Sequence, residues 1–124
     1  ASFMIALTGE SPQMAQKTID FAISLNPDYD QFCITTTFPK TKLYEDALIY
    51  GRLLKDFAKY NVWEAVFIPH GYKNKKEIEL MEKRAVRRFY LRPGYIWGRL
   101  KKIRSANDFV RYLKGLRLLI GFAR

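Results

Sequence analysis

The chain has 124 residues, 48% hydrophobic and 15% aromatic, with 22 Lys and Arg against 12 Asp and Glu and a net charge of +10. That length suits one domain of roughly 100–150 residues with a sizeable core, and the apolar content excludes a disordered chain. The single cysteine, Cys33, excludes an internal disulfide and a multi-cysteine metal site, and no apolar run approaches the ~20 residues of a membrane-spanning helix.

Phe3-Met4-Ile5-Ala6-Leu7 is too short and apolar for anything but a buried strand, and it opens the chain as if inside a larger fold. Thr8-Gly9-Glu10 turns the chain. Ser11 and Pro12 then form an N-cap and first-turn pair. Met14, Thr18, Ile19, Ala22, Ile23 and Leu25 recur at helical spacing until Asn26-Pro27 stops the helix. Gln31 to Thr37 is dense in β-branched and aromatic residues and predicts a second strand. After Phe38-Pro39-Lys40, Thr41 caps a helix that starts near Lys42 and breaks near Gly51. Strand, helix, strand, helix is a βαβ unit, so the two strands should run parallel with a right-handed crossover.

The second half reads as helices. Trp63 to Ile68 predicts an edge strand or extended segment ended by Pro69-His70-Gly71. Asn74 and Glu77 form a capping box before a helix striped by Ile78, Met81, Ala85, Val86 and Phe89. Arg92-Pro93-Gly94 interrupts it. A short helix is expected over Tyr95 to Ile103, and Ser105 with Asp108 should cap a last helix striped by Phe109, Tyr112, Leu113, Leu116, Leu119 and Ile120. A pair of parallel strands is not a complete α/β core, because such sheets need several strands covered on both faces. The division expected is residues 1–60 as a βαβα portion and residues 61–124 as an extended segment with helices.

The charge is lopsided. Residues 1–82 carry 9 basic and 11 acidic side chains, whereas residues 83–124 carry 13 basic and one acidic, Asp108. An excess concentrated in this way points to a nucleic acid, an anionic membrane, an acidic protein or a surface of the same protein outside this segment. Arg99, Lys101, Lys102, Arg104, Arg111, Lys114 and Arg117 intersperse with Trp97 and the apolar stripe, so residues 97–124 have the composition of an interfacial helix on anionic lipid. No RNA-binding motif is present, which disfavours nucleic acid.

Ligands in α/β folds bind at the carboxyl ends of the strands, which makes Leu7-Thr8-Gly9-Glu10 the best candidate site. Gly9 permits close backbone approach, the helix start offers free N–H groups, and Glu10 can accept from an amine or a hydroxyl. The same two residues also serve a turn and a helix dipole. Thr35-Thr36-Thr37-Phe38 ends the second strand on the same edge. Cys33 reads as a buried small hydrophobe, His70 as an exposed loop residue, and Glu77, Glu79 and Glu82 as helix-surface charge.

Three segments carry a family resemblance. Ser2 to Ser11 resembles the "FMIGLPGET" segment of radical S-adenosylmethionine enzymes, Thr35 to Glu45 resembles their "TPFPGTPLYE", and Arg87 to Pro93 is similar to the "RRFYLRP" of the cobalamin-binding branch. The resemblance implies an α/β fold: strands five and six, with helices, of a partial TIM-like (β/α)6 barrel, followed by a helical C-terminal extension. It also implies that Met4, Ala6, Gly9 and Glu10 lie in or beside an S-adenosylmethionine pocket, with Thr36, Thr37 and Phe38 at the adjoining strand end. Ala6 stands in place of Gly, Thr8 and Thr37 in place of Pro, and Lys40 in place of Gly. The family's CxxxCxxC is absent here, so a 4Fe-4S cluster and any cobalamin would belong to a longer parent enzyme performing radical methyl transfer or a related modification. The chain alone should hold no cofactor firmly and be inactive. Its implied partners are the rest of the barrel or a self-associating copy, and its implied location is cytoplasmic, with the basic helices available to a membrane surface.

Overall fold

A computed structural model describes residues 1–54, 60, 61, 64–103 and 106–122. The elements run β1 (Ser2–Ile5), α1 (Pro12–Leu25), β2 (Gln31–Ile34), α2 (Lys42–Tyr50), β3 (Gly51–Leu53), β4 (Phe67–Pro69), α3 (Lys75–Tyr90), α4 (Pro93–Lys101) and α5 (Ala106–Phe122). Two compact units divide between Glu82 and Lys83, inside α3. That is the boundary at which the charge balance changes sign.

In the first unit β1 and β2 are parallel, with Phe3 opposite Phe32 and Ile5 opposite Ile34. The connection through α1 makes this the expected βαβ unit. One sheet face carries Phe3, Phe32, Ile5 and Ile34. Phe3 stacks on Phe32 at 5.9 Å and meets Phe21 of α1 edge-on at 6.2 Å, so α1 covers this face. Met4 and Cys33 point to the other face, where Met4 is exposed and Cys33 half-buried. Cys33 is therefore not the fully buried residue expected.

Helix α1 starts as predicted: Ser11 Oγ accepts from Met14 N, Pro12 follows, and Asn26 closes the helix in the left-handed region. Its buried line is Ala15, Ile19 and Ala22. Met14 and Leu25, expected in the stripe, are exposed. At about 100° per residue both lie roughly a quarter-turn around the helix from that buried line.

Both strands are shorter than predicted. β1 stops at Ile5 because Ala6 takes a positive φ of 64°. β2 ladders only to Ile34, although Thr35 N still donates to Ile5 O at 2.8 Å. Thr41 caps α2 through Tyr44 N. Beyond it lies β3, which pairs antiparallel with β4, Gly51 opposite Pro69. Trp63, at the start of the predicted edge strand, lies outside the described residues.

Helix α3 buries Ile78, Met81, Ala85 and Phe89 as its spacing requires. Asn74 Oδ1 accepts from Glu77 N, and Glu77 Oε2 accepts from Lys73 N, one residue earlier than the usual reciprocal bond. Glu82 corrects the sequence reading, being 2% exposed and part of the buried stripe rather than the surface.

In the second unit the chain breaks before Pro93 as expected, and α4 starts at Pro93 itself, two residues earlier than Tyr95. Tyr95 packs on Phe89 at 5.6 Å and on Tyr90 at 5.3 Å, and the Arg92 guanidinium lies 4.3 Å from the Phe89 ring centre. Arg104, Ser105 and the side chains of Asp108, Arg111, Leu116, Leu119 and Ile120 lie outside the described residues. Among the described residues no helix is long and apolar enough to cross a membrane.

Candidate functional site at the carboxyl edge of the parallel strands

The turn after β1 is built from two left-handed residues, Ala6 and Gly9, the latter with φ 77°. They reverse the chain so that Glu10 N donates to Leu7 O at 3.0 Å while Leu7 N donates to Glu10 Oε2 at 3.0 Å. The Glu10 carboxylate thus closes its own turn, 5% exposed. This differs from the sequence reading, in which Glu10 was available to a ligand, since one oxygen is held by the backbone it helps to fold. Gly9, by contrast, is open: a methyl group added there would meet nothing within 4 Å.

The end of β2 lies alongside. Thr35 Oγ1 donates to Ile5 O at 2.9 Å, tying the two strand ends together. Thr36 Oγ1 donates to Asn61 O at 2.9 Å. Thr37 is fully buried, and among the described residues no group hydrogen-bonds its Oγ1. Phe38 is exposed, its ring 5.9 Å from that of Tyr60. Ala6, Gly9, Glu10, Thr36, Thr37 and Phe38 therefore share the carboxyl edge of one parallel pair. Met4 does not; it sits inside β1 on the open sheet face.

Two residues that the sequence did not single out complete the turn. Gly71 follows β4 so closely that an added Cβ would come within 2.8 Å of Glu10 O and 2.9 Å of Ser11 Cα. Tyr72, 4% exposed, approaches the Glu10 carboxyl without completing a well-formed hydrogen bond. A Pro-His-Gly-Tyr turn is visible in sequence, but nothing in it announces a partner sixty residues away. His70 is exposed as expected, with its Nε2 3.2 Å from Ile49 O.

Burial pushes the Glu10 carboxyl above its ordinary value of 4.5, and the backbone N–H groups of Leu7 and Ala6, with the Tyr72 hydroxyl nearby, oppose that rise. Burial and the neighbouring Glu10 charge push the Tyr72 hydroxyl upward as well. The native chain therefore holds the Glu10 proton to higher pH than the unfolded chain. Stability falls as pH rises from the unfolded value through the folded one. Glu10→Gln, which keeps an oxygen for Leu7 N, should gain on the wild type over that interval. Urea midpoints of both proteins between pH 3 and 8 (roughly the span bracketing a raised carboxyl) measure this, and a gap moving the other way refutes it.

Among the described residues no three His, Cys, Asp or Glu side chains come together to hold a metal ion. With one cysteine in the sequence, the residues do not fit a three-thiolate cluster site. The open Gly9 turn and the buried Thr37 hydroxyl, which no described group hydrogen-bonds, lie on one edge.

The chain is similar to an uncharacterized methyltransferase of Pyrococcus horikoshii, with 32% identity over 118 residues. The match takes in 93% of this chain and 25% of the relative, so the chain spans about a quarter of that protein's length. No protein-family profile matches the chain, and no solved structure matches it.

Proposed function

We propose that this chain is part of a radical S-adenosylmethionine methyltransferase, of the cobalamin-binding branch, and contributes one edge of the S-adenosylmethionine site. The observation that carries the reading is the placement of the two motif segments. Ser2–Ser11 and Thr35–Glu45 end adjacent parallel strands on the same edge, which is where α/β folds bind ligands. The similarity to a protein named a methyltransferase supports the reaction class.

In this reading β1 and β2 are two strands of a partial (β/α)6 barrel. The remaining strands, the cluster and any cobalamin belong to other polypeptide. The outer edge of β1, which pairs with no other strand among the described residues, and the open face bearing Met4 are where that polypeptide adds. Ala6 and Gly9 set the backbone against which the ligand lies. Glu10 holds the turn, and Thr36, Thr37 and Phe38 flank it, with the Thr37 hydroxyl as the group left to hydrogen-bond. Once bound, S-adenosylmethionine supplies the transferable methyl group or, with a reduced cluster, a 5′-deoxyadenosyl radical.

Calorimetry tests this. The chain alone should give no saturable heat at micromolar S-adenosylmethionine. A polypeptide extended to include a three-cysteine segment should bind it. In that polypeptide Gly9→Val should weaken binding roughly tenfold, since a β-branched residue strains a left-handed turn and covers the open surface. Micromolar binding by the isolated chain, or none by the extended one, overturns the proposal.

A further inference from the structure

The second compact unit exposes apolar side chains on both α4 and α5. Around α4, at about 100° per residue, Pro93, Ile96, Trp97 and Leu100 share one arc. Ile96 is 40% exposed, Trp97 62% and Leu100 48%. The half-buried positions are Tyr95, Gly98 and Arg99 on the opposite side. The polarity of an ordinary surface helix is thus inverted, with an arginine turned inward and a tryptophan turned outward. Helix α5 also exposes apolar side chains. Phe109, Val110 and Leu113 are exposed in a row, with Lys114 and Arg117 exposed beside them.

These faces sit in a unit that carries 13 basic side chains and one acidic one. The occupant must therefore accept aliphatic side chains and be strongly anionic. Single-stranded nucleic acid satisfies the charge but offers flat bases, which stack on aromatic rings and gain little from Ile96, Leu100, Val110 and Leu113. A bilayer containing anionic phospholipid satisfies both requirements. Its acyl boundary takes the aliphatic residues, its interface suits tryptophan, and its phosphates face lysines whose stems run along the apolar arc. Lys101 already lies with its ammonium 5.5 Å from the Trp97 ring, at the margin of that arc.

We propose that α4 and α5 seat this chain on an anionic phospholipid surface. Ile96, Trp97, Leu100, Phe109, Val110 and Leu113 enter the headgroup–acyl boundary, and Lys101, Lys114 and Arg117 meet the phosphates. The inference stands on these surfaces alone and does not depend on the methyltransferase reading.

The test uses the whole chain carrying Trp63→Phe, so that Trp97 is its one tryptophan. Titration with phosphatidylcholine vesicles containing phosphatidylglycerol should shift Trp97 emission to the blue and carry the protein into the pellet. Pure phosphatidylcholine should do neither, and added salt should weaken the interaction. Lys101→Ala with Lys114→Ala should weaken binding about 25-fold, roughly fivefold per charge removed. Trp97→Ser with Leu100→Ser should reduce it while leaving the circular dichroism unchanged, because both side chains are exposed. Equal binding to both vesicle types overturns the proposal, as does sedimentation without a blue shift, suppression by millimolar inorganic phosphate at constant ionic strength, or saturable binding of a single-stranded RNA with none to vesicles.

Discussion

Phe32→Ala is expected to destabilise the first compact unit by ~3–5 kcal/mol, the usual cost of removing a fully buried phenyl group. Phe32 is 1% exposed in β2, directly opposite Phe3 of β1, and the half-exposed Phe21 of α1 meets only the margin of the stacked pair. Truncation forfeits the transfer free energy of the ring and leaves a cavity between two short strands. Set against the ~5–15 kcal/mol that holds a typical domain, that is a large fraction of the total. Phe21→Ala, at a position 56% exposed, provides the comparison and should cost under ~1 kcal/mol. Urea denaturation read by far-ultraviolet circular dichroism measures both. Equal losses for the two variants would show that the Phe3–Phe32 stack is not the centre of this core.

Gly71→Ala is expected to cost ~1–3 kcal/mol, the range for forcing extra volume into a packed site. The added Cβ would meet backbone atoms of Glu10 and Ser11, which cannot swing away as a side chain does. Relief requires the loop after β4 to lift off the turn after β1, and Tyr72 to move with it. The Leu7 amide, which donates to Glu10 Oε2, should then exchange its hydrogen faster than in the wild type. Loss of stability with unchanged Leu7 exchange would mean that the strain is absorbed elsewhere in the loop.

The parts legible in sequence were those governed by local chemistry. The β1–α1–β2 unit follows from an apolar run, an N-cap with proline, a helical stripe and a β-branched run, and each is decided within about ten residues. The helix over Lys75–Tyr90 was equally plain from its capping pair and its spacing. Gly9 and Glu10 were legible as a turn at a strand end. The division of charge at Glu82 and Lys83 was also written in the sequence, at the position where the compact units separate.

What escaped was decided by partners distant along the chain. Strand β3 has three residues, too few for a pattern, and exists because β4 pairs with it. Glu10 reads as available to a ligand in sequence, whereas its carboxylate accepts from Leu7 N and Tyr72 is set against it from sixty residues away. Glu82 has the spacing of the buried stripe, four residues after Ile78 and three before Ala85, but its charge reads as surface until α3 is seen to turn that side to the core.

By itself, then, the sequence determined the parallel βαβ unit, the turn at its carboxyl edge and the separation of a near-neutral half from a strongly basic one. Periodicity, capping and charge act over a few residues and are readable in order. Only the tertiary structure decided which face of each helix meets protein. Periodicity gives α4 and α5 an apolar side but does not say where it points, because burial is set by what packs against an element. Here the aromatic cluster of Phe89, Tyr90 and Tyr95 holds α4 by its polar side and leaves Ile96, Trp97 and Leu100 to the solvent.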